Sequence, residues 1–208
     1  TDSSGNSISE IDYLGEPVTI TVNVEDVDND NVTIFVNGDQ VDMILSESNS
    51  FNYIVDSIVS QLEFKTTFNG EDVIIKTLPI NYLIANDIEL QTTDEDILKV
   101  ISLSYQTNLG GVVKYNYNNT TEFGRFIESN DNQLTYLPKP NWNSDIRLVD
   151  GYYQIKNIIK DENGNIISSD PDQLDSFDYN VSVNINGKNY VSKSQTVNIK
   201  VNPVNDPP

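Results

Sequence analysis

The amino-acid sequence predicts an all-β protein of the β-sandwich class, and two observations support this prediction. Apolar and polar residues alternate along five segments, as in strands with one buried face. Asn-Gly pairs, a strong hairpin signal, recur between such segments. The alternating segments are 18–24, 31–37, 72–78, 177–185 and 195–202, and the Asn-Gly pairs stand at 37–38, 69–70, 163–164 and 186–187.

Residues 48–64 are the stretch whose secondary structure the sequence leaves open. Apolar residues recur there at spacings of three and four, as on one face of a helix. Several of them are β-branched, and β-branched residues favour strands. A short helix and a strand both remain open for this segment.

A weak internal repeat divides the chain into two domains. Segment 76–90 and the final segment 200–208 share the order Lys, apolar, Pro, apolar, Asn. A repeat of this kind marks equivalent positions in successive structural units. We therefore expect two tandem β-sandwich domains, residues 1–83 and 84–208.

The charge of the chain narrows its possible partners. Asp and Glu total 32 against 12 Lys and Arg, which gives a net charge of −20. Nucleic acids and anionic membrane surfaces are bound by basic patches, so neither is an expected partner. No apolar run is long enough for membrane insertion. The self-repulsion of so acidic a chain is relieved by cations, and divalent cations are the natural candidates.

Two residue types that carry much metal and catalytic chemistry are missing, because the chain contains neither Cys nor His. Their absence excludes thiolate and imidazole metal sites, cysteine nucleophiles and the Ser-His-Asp triad. Paired carboxylates can hydrolyse glycosidic bonds, but nothing in the sequence builds a cleft around such a pair. We therefore do not expect an enzyme.

The first candidate metal site is the acidic run Asp26, Asp28 and Asp30. In an extended loop, residues two apart turn their carboxylates to one side, and three carboxylates suit Ca²⁺. An EF-hand is excluded because the chain has Asn31 and Asn37 where that loop needs Gly and Glu. The alternative is a solvated acidic turn between strands.

The second candidate site lies at the end of the second domain where the chain leaves it. A strand over residues 85–93 would carry Glu95 and Asp96 to the end opposite the domain's entry. A sandwich with an odd number of strands also exits there, which places Asn205 and Asp206 at the same end. These oxygens make an incomplete Ca²⁺ shell that carbonyls, water or a following domain would complete. A solvated acidic end is the alternative.

Four motifs in the second half of the chain resemble a known family. TTDED (92–96), LTYLPKPNWNSD (134–145), DSFDYNV (175–181) and TVNIKVNPVNDPP (196–208) occur in this order. Together they resemble the bacterial cadherin-like tandem repeat of large secreted surface adhesins. The resemblance implies cadherin-like or Ig-like domains, a secreted or cell-surface location on a bacterium, and neighbouring repeats of the same polypeptide as partners. The closing Asn-Asp-Pro-Pro is typical of a junction, so we expect a longer chain.

The resemblance also adds a residue to the second candidate site. The family pattern places the counterpart of Asp175 at the exit end of the domain. Glu95, Asp96, Asp175 and Asp206 are therefore expected to converge on one Ca²⁺ ion. The function that follows is a Ca²⁺-binding extender module that spaces and stiffens a tandem array.

Relative to the family pattern, residues 145–174 are an insertion. Alternation over 152–170 predicts one long, exposed hairpin that turns at Asn163-Gly164. Loops on a rigid β scaffold are where binding sites are commonly built. The insertion therefore supports an alternative function, a ligand-binding adhesion module for a glycan or a surface protein.

Overall fold

The computed structural model describes residues 7–24, 32–43, 50–68, 71–130, 132–150 and 152–204. All regular secondary structure in these ranges is β-strand, which confirms the predicted all-β class. The described ranges contain no helix that could span a membrane.

The chain divides into two compact units. Unit 1 comprises residues 1–84 together with 106–111 and 184–193, and unit 2 comprises 85–105, 112–183 and 194–208. The first seven strands all belong to unit 1 except for the last residue of β7. They are β1 (Ile11–Tyr13), β2 (Val18–Asn23), β3 (Val32–Val36), β4 (Asp39–Met43), β5 (Ser50–Val55), β6 (Gln61–Phe68) and β7 (Glu71–Ala85).

Unit 1 is a sandwich of two sheets, ordered β1-β7-β6-β3-β4 and β2-β5. Its core takes side chains from both sheets, among them Ile20 of β2, Val36 of β3 and Ile80 of β7. β5 and β6 cover most of the ambiguous segment 48–64, so its β-branched residues prevail over its helical spacing. The predicted turn at Asn37-Gly38 joins β3 to β4 with both φ angles positive, at 51° and 97°.

Unit 1 includes two segments that the sequence analysis places in the domain 84–208. In segment 184–193, the Lys188 ammonium lies 2.7 Å from the Asp12 carboxylate, and the backbone N–H of Lys193 donates to the Leu14 carbonyl at 2.7 Å. In segment 106–111, the Asn108 side chain donates to the Ile80 carbonyl at 2.8 Å. These are long-range contacts, which no local sequence signal announces.

The remaining thirteen strands follow in chain order. They are β8 (Gln91–Asp94), β9 (Lys99–Ser102), β10 (Tyr105–Thr107), β11 (Lys114–Tyr117), β12 (Gly124–Asn130), β13 (Gln133–Pro138), β14 (Ile146–Val149), β15 (Tyr152–Ile155), β16 (Ile158–Lys160), β17 (Ile166–Ser169), β18 (Asp175–Ile185), β19 (Lys188–Val191) and β20 (Gln195–Asn202).

Unit 2 is a second sandwich, with sheets ordered β11-β18-β20-β8 and β12-β13-β9. Alternate residues of β18 are buried, from Phe177 to Val183, as the period-2 pattern predicts. Phe126 of β12 packs edge-to-face on Phe177 with ring centroids 4.8 Å apart, which joins the two sheets. β20 runs parallel to β8 and places Asn202 opposite Asp94, so the chain leaves the sheet where the acidic turn begins.

The insertion 145–174 folds into two hairpins, so the prediction of one long hairpin over 152–170 is wrong. β15 pairs back with β14 instead of continuing towards β17. The cause is an Asp-Gly pair at 150–151, a hairpin signal as strong as Asn-Gly, and Asp150 has the positive φ of 50° that such turns require. The predicted turn at Asn163-Gly164 is confirmed as the connection between β16 and β17.

Tyr179 of β18 makes the stability of unit 2 depend on alkaline pH. Its buried hydroxyl donates to the carbonyls of Asn86 and Ser104, and burial raises the pKa of Tyr179 to about 12. An unfolded tyrosine ionises near pH 10. The stabilisation is therefore complete below about pH 10 and is lost as the pH rises towards about 12.

We expect the Tyr179→Phe variant to show a shallower loss of unfolding free energy between about pH 10 and 12 than the wild type. Urea unfolding followed by the fluorescence of Trp142, the chain's single tryptophan, reports on unit 2. Equal slopes in the two proteins would show that Tyr179 ionises as freely in the folded state as in the unfolded state.

Candidate functional site

Glu95 is a nearly buried acid in the turn after β8, with 7% of its surface exposed. Its backbone N–H donates to the Asn202 carbonyl at 3.0 Å, and its Oε2 accepts from the Asn143 side chain at 2.8 Å. None of the ion pairs among the described residues involves Glu95. The carboxylate is thus held by a neutral donor, without a cationic side chain beside it.

Two exposed acids flank Glu95 in the same turn. Asp94 Oδ1 accepts from the Asn202 side chain at 3.0 Å, and the Ile97 backbone N–H donates to the Asp94 carbonyl at 3.2 Å. Asp96 has a φ of 60°, in the left-handed region that Asp tolerates better than most residues. The tight turn therefore places three consecutive acidic side chains where the chain leaves the sheet.

The loop after β13 fixes Asn143, the donor to Glu95. The completely buried Ser144 donates its backbone N–H to the Val201 carbonyl at 2.7 Å, and its Oγ accepts from the Val201 N–H at 2.9 Å. Asn143 Oδ1 accepts from the Asp145 N–H at 3.0 Å, which orients its amide. Sequence reasoning quoted this segment as part of a motif but gave neither Asn143 nor Ser144 a role.

Asp175 is the centre of a buried hydrogen-bond cluster. It is 1% exposed and accepts four hydrogen bonds: from the Tyr136 hydroxyl at 2.6 Å, from the Thr121 hydroxyl, and from the N–H groups of Phe123 at 3.2 Å and Ser176 at 3.0 Å. A carboxylate has about four acceptor positions. Burial and the contact with Asp175 raise the pKa of Tyr136, so its hydroxyl stays a donor.

The structure does not bring Asp175 to Glu95, contrary to the expected convergence. Asp175 pairs with Ile199, which pairs with Gln91 of β8, and Glu95 lies four positions beyond Gln91. At 3.3 Å per residue this separates them by about 13 Å along the strands. The physical reason is that β18 begins at Asp175 itself, not at the expected Phe177, so this acid lies inside the sandwich.

The other predicted ligands lie outside the described residues. These are Asp26, Asp28 and Asp30 of the first candidate site, and Asn205 and Asp206 of the second. Within the described ranges, no three acidic side chains form a group that could hold a metal ion. Of the predicted ligands, Glu95 and Asp96 are the two that the structure places together, in the turn after β8.

A network of ion pairs fixes the base of the insertion. The Lys156 ammonium lies 2.6 Å from both the Asp145 and the Asp172 carboxylates, and Lys200 lies 2.6 Å from Asp172. Hydrogen bonds to Asp145 and Asp172 raise the pKa of Lys156, and those from Lys156 and Lys200 lower the pKa of Asp172. The insertion is thus anchored to β20, which carries Lys200.

No protein-family model matches the chain, and no curated protein is significantly similar to it. Several solved structures match it weakly. The titin fragment A168169 has a TM-score of 0.31 and 10% identity, covering 92% of this chain and 94% of the fragment.

Fibronectin(III)-like modules of CbhA from Clostridium thermocellum have a TM-score of 0.27 and 10% identity, covering 98% of this chain and 94% of that chain. An endo-fucoidan hydrolase of glycoside hydrolase family 107 has a TM-score of 0.34 and 11% identity, covering 95% of this chain and 28% of the hydrolase. Scores this low carry no argument about what the chain does.

Proposed function

We propose that this chain is a Ca²⁺-binding extender module of a bacterial cell-surface adhesin, which spaces and stiffens a tandem array of domains. The observation that supports the proposal best is Glu95, a nearly buried carboxylate held by the neutral side chain of Asn143. A buried carboxylate is costly without a compensating charge, and no cationic side chain supplies one among the described ion pairs.

The donor set at this turn suits a hard cation. Glu95 has a second carboxylate oxygen beside the one that Asn143 holds, and Asp94 and Asp96 flank it. Ca²⁺ prefers carboxylate and carbonyl oxygens, and the chain's net charge of −20 favours cation uptake in general. When bound, the ion supplies the positive charge that Glu95 otherwise lacks.

Asn205 and Asp206 remain proposed ligands at the same turn. They follow Asn202 by three and four residues, and Asn202 lies opposite Asp94. A neighbouring repeat of the same polypeptide would contribute the oxygens that complete the shell. Sharing the ion between two domains fixes the angle between them, which is the stiffening that an extender requires.

Asp175 is left out of the proposed ligand set because its acceptor positions are occupied by four protein donors. The run Asp26, Asp28 and Asp30 is retained as a second proposed Ca²⁺ site, on its spacing alone. The secreted or cell-surface location on a bacterium, and the absence of an enzymatic activity, belong to the same proposal.

Thermal melting in Ca²⁺, in Mg²⁺ and in a chelator tests the proposal. A ligand of the native state at a hundred times its Kd adds about 2.7 kcal/mol of stability, so Ca²⁺ is expected to raise the melting temperature by several degrees. Mg²⁺ should do so less, because it demands a compact octahedral shell. Equal melting temperatures with Ca²⁺ and with the chelator would reject the Ca²⁺-binding part of the proposal.

A further inference from the structure

The second hairpin of the insertion exposes its apolar side chains instead of burying them. All residues of β16 and β17 are exposed, and the exposed fractions of Ile166 and Ile167 are 61% and 68%. A two-stranded hairpin is only marginally stable in water unless another surface covers it. Within the described ranges, β16 and β17 pair only with each other.

The exposed apolar surface of the insertion is large for a monomer. Tyr152 and Ile155 of β15 add exposed fractions of 74% and 81% to those of β16 and β17. With Ile158, Ile159, Ile166 and Ile167, they expose roughly 700 Å², against 300–600 Å² for the largest apolar patch on a typical monomer. A stable interface between two proteins buries about 800 Å² on each partner. The insertion therefore supplies nearly one half of a dimer interface.

The outer edge of β17 lacks the usual protection of an edge strand. Natural edge strands carry Lys, other charges or Pro that prevent pairing with another chain. Residues 163–169 contain no charged residue and no Pro, in a chain whose net charge is −20. Two such chains repel each other over most of their surface, but they can approach closely at this uncharged window.

The hairpin is also held in a fixed position, as an interface requires. Arg147 of β14 forms an ion pair with Asp170 at 2.9 Å, just after β17, and Lys156 ties the base to Asp145 and Asp172. A surface that is already ordered loses little conformational freedom when a partner binds.

We propose that β17 pairs antiparallel with β17 of a second copy of this chain, and that the exposed isoleucines and Tyr152 of both insertions cover one another. Such a contact is isologous and closes as a dimer with two-fold symmetry. A second copy fits better than a basic protein, because a basic partner would be drawn to the acidic surfaces and not to an uncharged edge. The inference goes beyond the extender function and does not require Ca²⁺.

Disulfide cross-linking gives the most local test, because the chain contains no Cys. Opposed residues of antiparallel strands have Cα atoms about 4.5–5.5 Å apart, a distance that a disulfide spans. Under mild oxidation in a chelator, Ser168→Cys is expected to form covalent dimers at least ten times faster than Ser102→Cys, an exposed position on the edge strand β9. Equal rates for the two variants would overturn the proposal.

Sedimentation velocity over a range of protein concentrations provides the second measurement. The wild type is expected to dimerise, and more strongly at high salt, because salt screens the repulsion between two chains of net charge −20. Ile167→Lys should weaken the dimer at least tenfold, whereas Val100→Lys, at a site that is 54% exposed on β9, should not. A wild type that stays monomeric at all concentrations and salts, or an Ile167→Lys dimer of unchanged strength, would overturn the proposal.

Discussion

Replacing Asp175 by Ala is expected to lower the unfolding free energy of unit 2 by about 3–5 kcal/mol. The substitution leaves the hydroxyls of Tyr136 and Thr121 and the N–H of Phe123 without their acceptor inside the sandwich. Each buried donor without an acceptor costs about 1–3 kcal/mol. Urea unfolding followed by Trp142 fluorescence measures the loss, because this residue belongs to unit 2.

Asp178→Ala is the matched control for Asp175→Ala. Asp178 lies on the same strand but is exposed, and it accepts from the Thr196 hydroxyl at the surface, so its removal should change stability by less than about 1 kcal/mol. Tyr136→Phe should cost less than Asp175→Ala, and the double variant should cost less than the sum of the two. A loss below about 1 kcal/mol for Asp175→Ala would contradict the assigned role.

The same variant separates the structural role of Asp175 from a ligand role. If Asp175 acts only through its buried hydrogen bonds, its replacement costs the same stability in Ca²⁺ and in a chelator. If it were a Ca²⁺ ligand, the loss would be larger in Ca²⁺, because the variant would also lose the stabilisation that binding provides. We expect equal losses under both conditions.

Replacing Gly124 by Ala is the second substitution with a large expected effect, a loss of about 3 kcal/mol in unit 2. A Cβ at this position would lie 2.3 Å from Cε2 and 2.5 Å from the hydroxyl oxygen of Tyr136. The Tyr136 ring cannot move aside at low cost, because it is fully buried and its hydroxyl donates to Asp175. Overpacking therefore strains the same hydrogen-bond cluster that Asp175 organises.

Gly110→Ala is the matched control for the Gly124 substitution, because no atom lies within 4 Å of a Cβ at position 110. Its effect should stay within about 0.5 kcal/mol. Combining Gly124→Ala with Tyr136→Leu should cost less than the sum of the two single changes, since the smaller side chain removes the overlap. A Gly124→Ala protein as stable as the wild type would show that the packing at Tyr136 is looser than described.

Elements whose burial alternates strictly could be predicted from sequence. The alternating segment 195–202 coincides with β20 at both ends, because each inward side chain there packs in the core. The turn at Asn163-Gly164 was predictable for a similar reason, since its chemistry is local. The second hairpin of the insertion was missed because Asp150 and its Gly neighbour were not counted as a turn signal.

The candidate site was predictable only in part. Glu95 and Asp96 could be placed at the exit end because strand length and direction determine which end a turn occupies. Asp175 could not be assigned correctly, because its partner Tyr136 is 39 residues away in sequence. Such contacts depend on how two sheets pack, and neither periodicity nor motif order contains that information.

Calorimetric titration of Ca²⁺ into chelator-treated protein tests the central claim most directly, with the wild type, Glu95→Gln and the exposed control Glu89→Gln compared. The account predicts that the wild type binds Ca²⁺, that Glu95→Gln loses one site or weakens it at least tenfold, and that Glu89→Gln binds as the wild type does. The opposite result is equally clear: a wild type that binds no Ca²⁺, or a Glu95→Gln variant with unchanged stoichiometry and affinity, would contradict it.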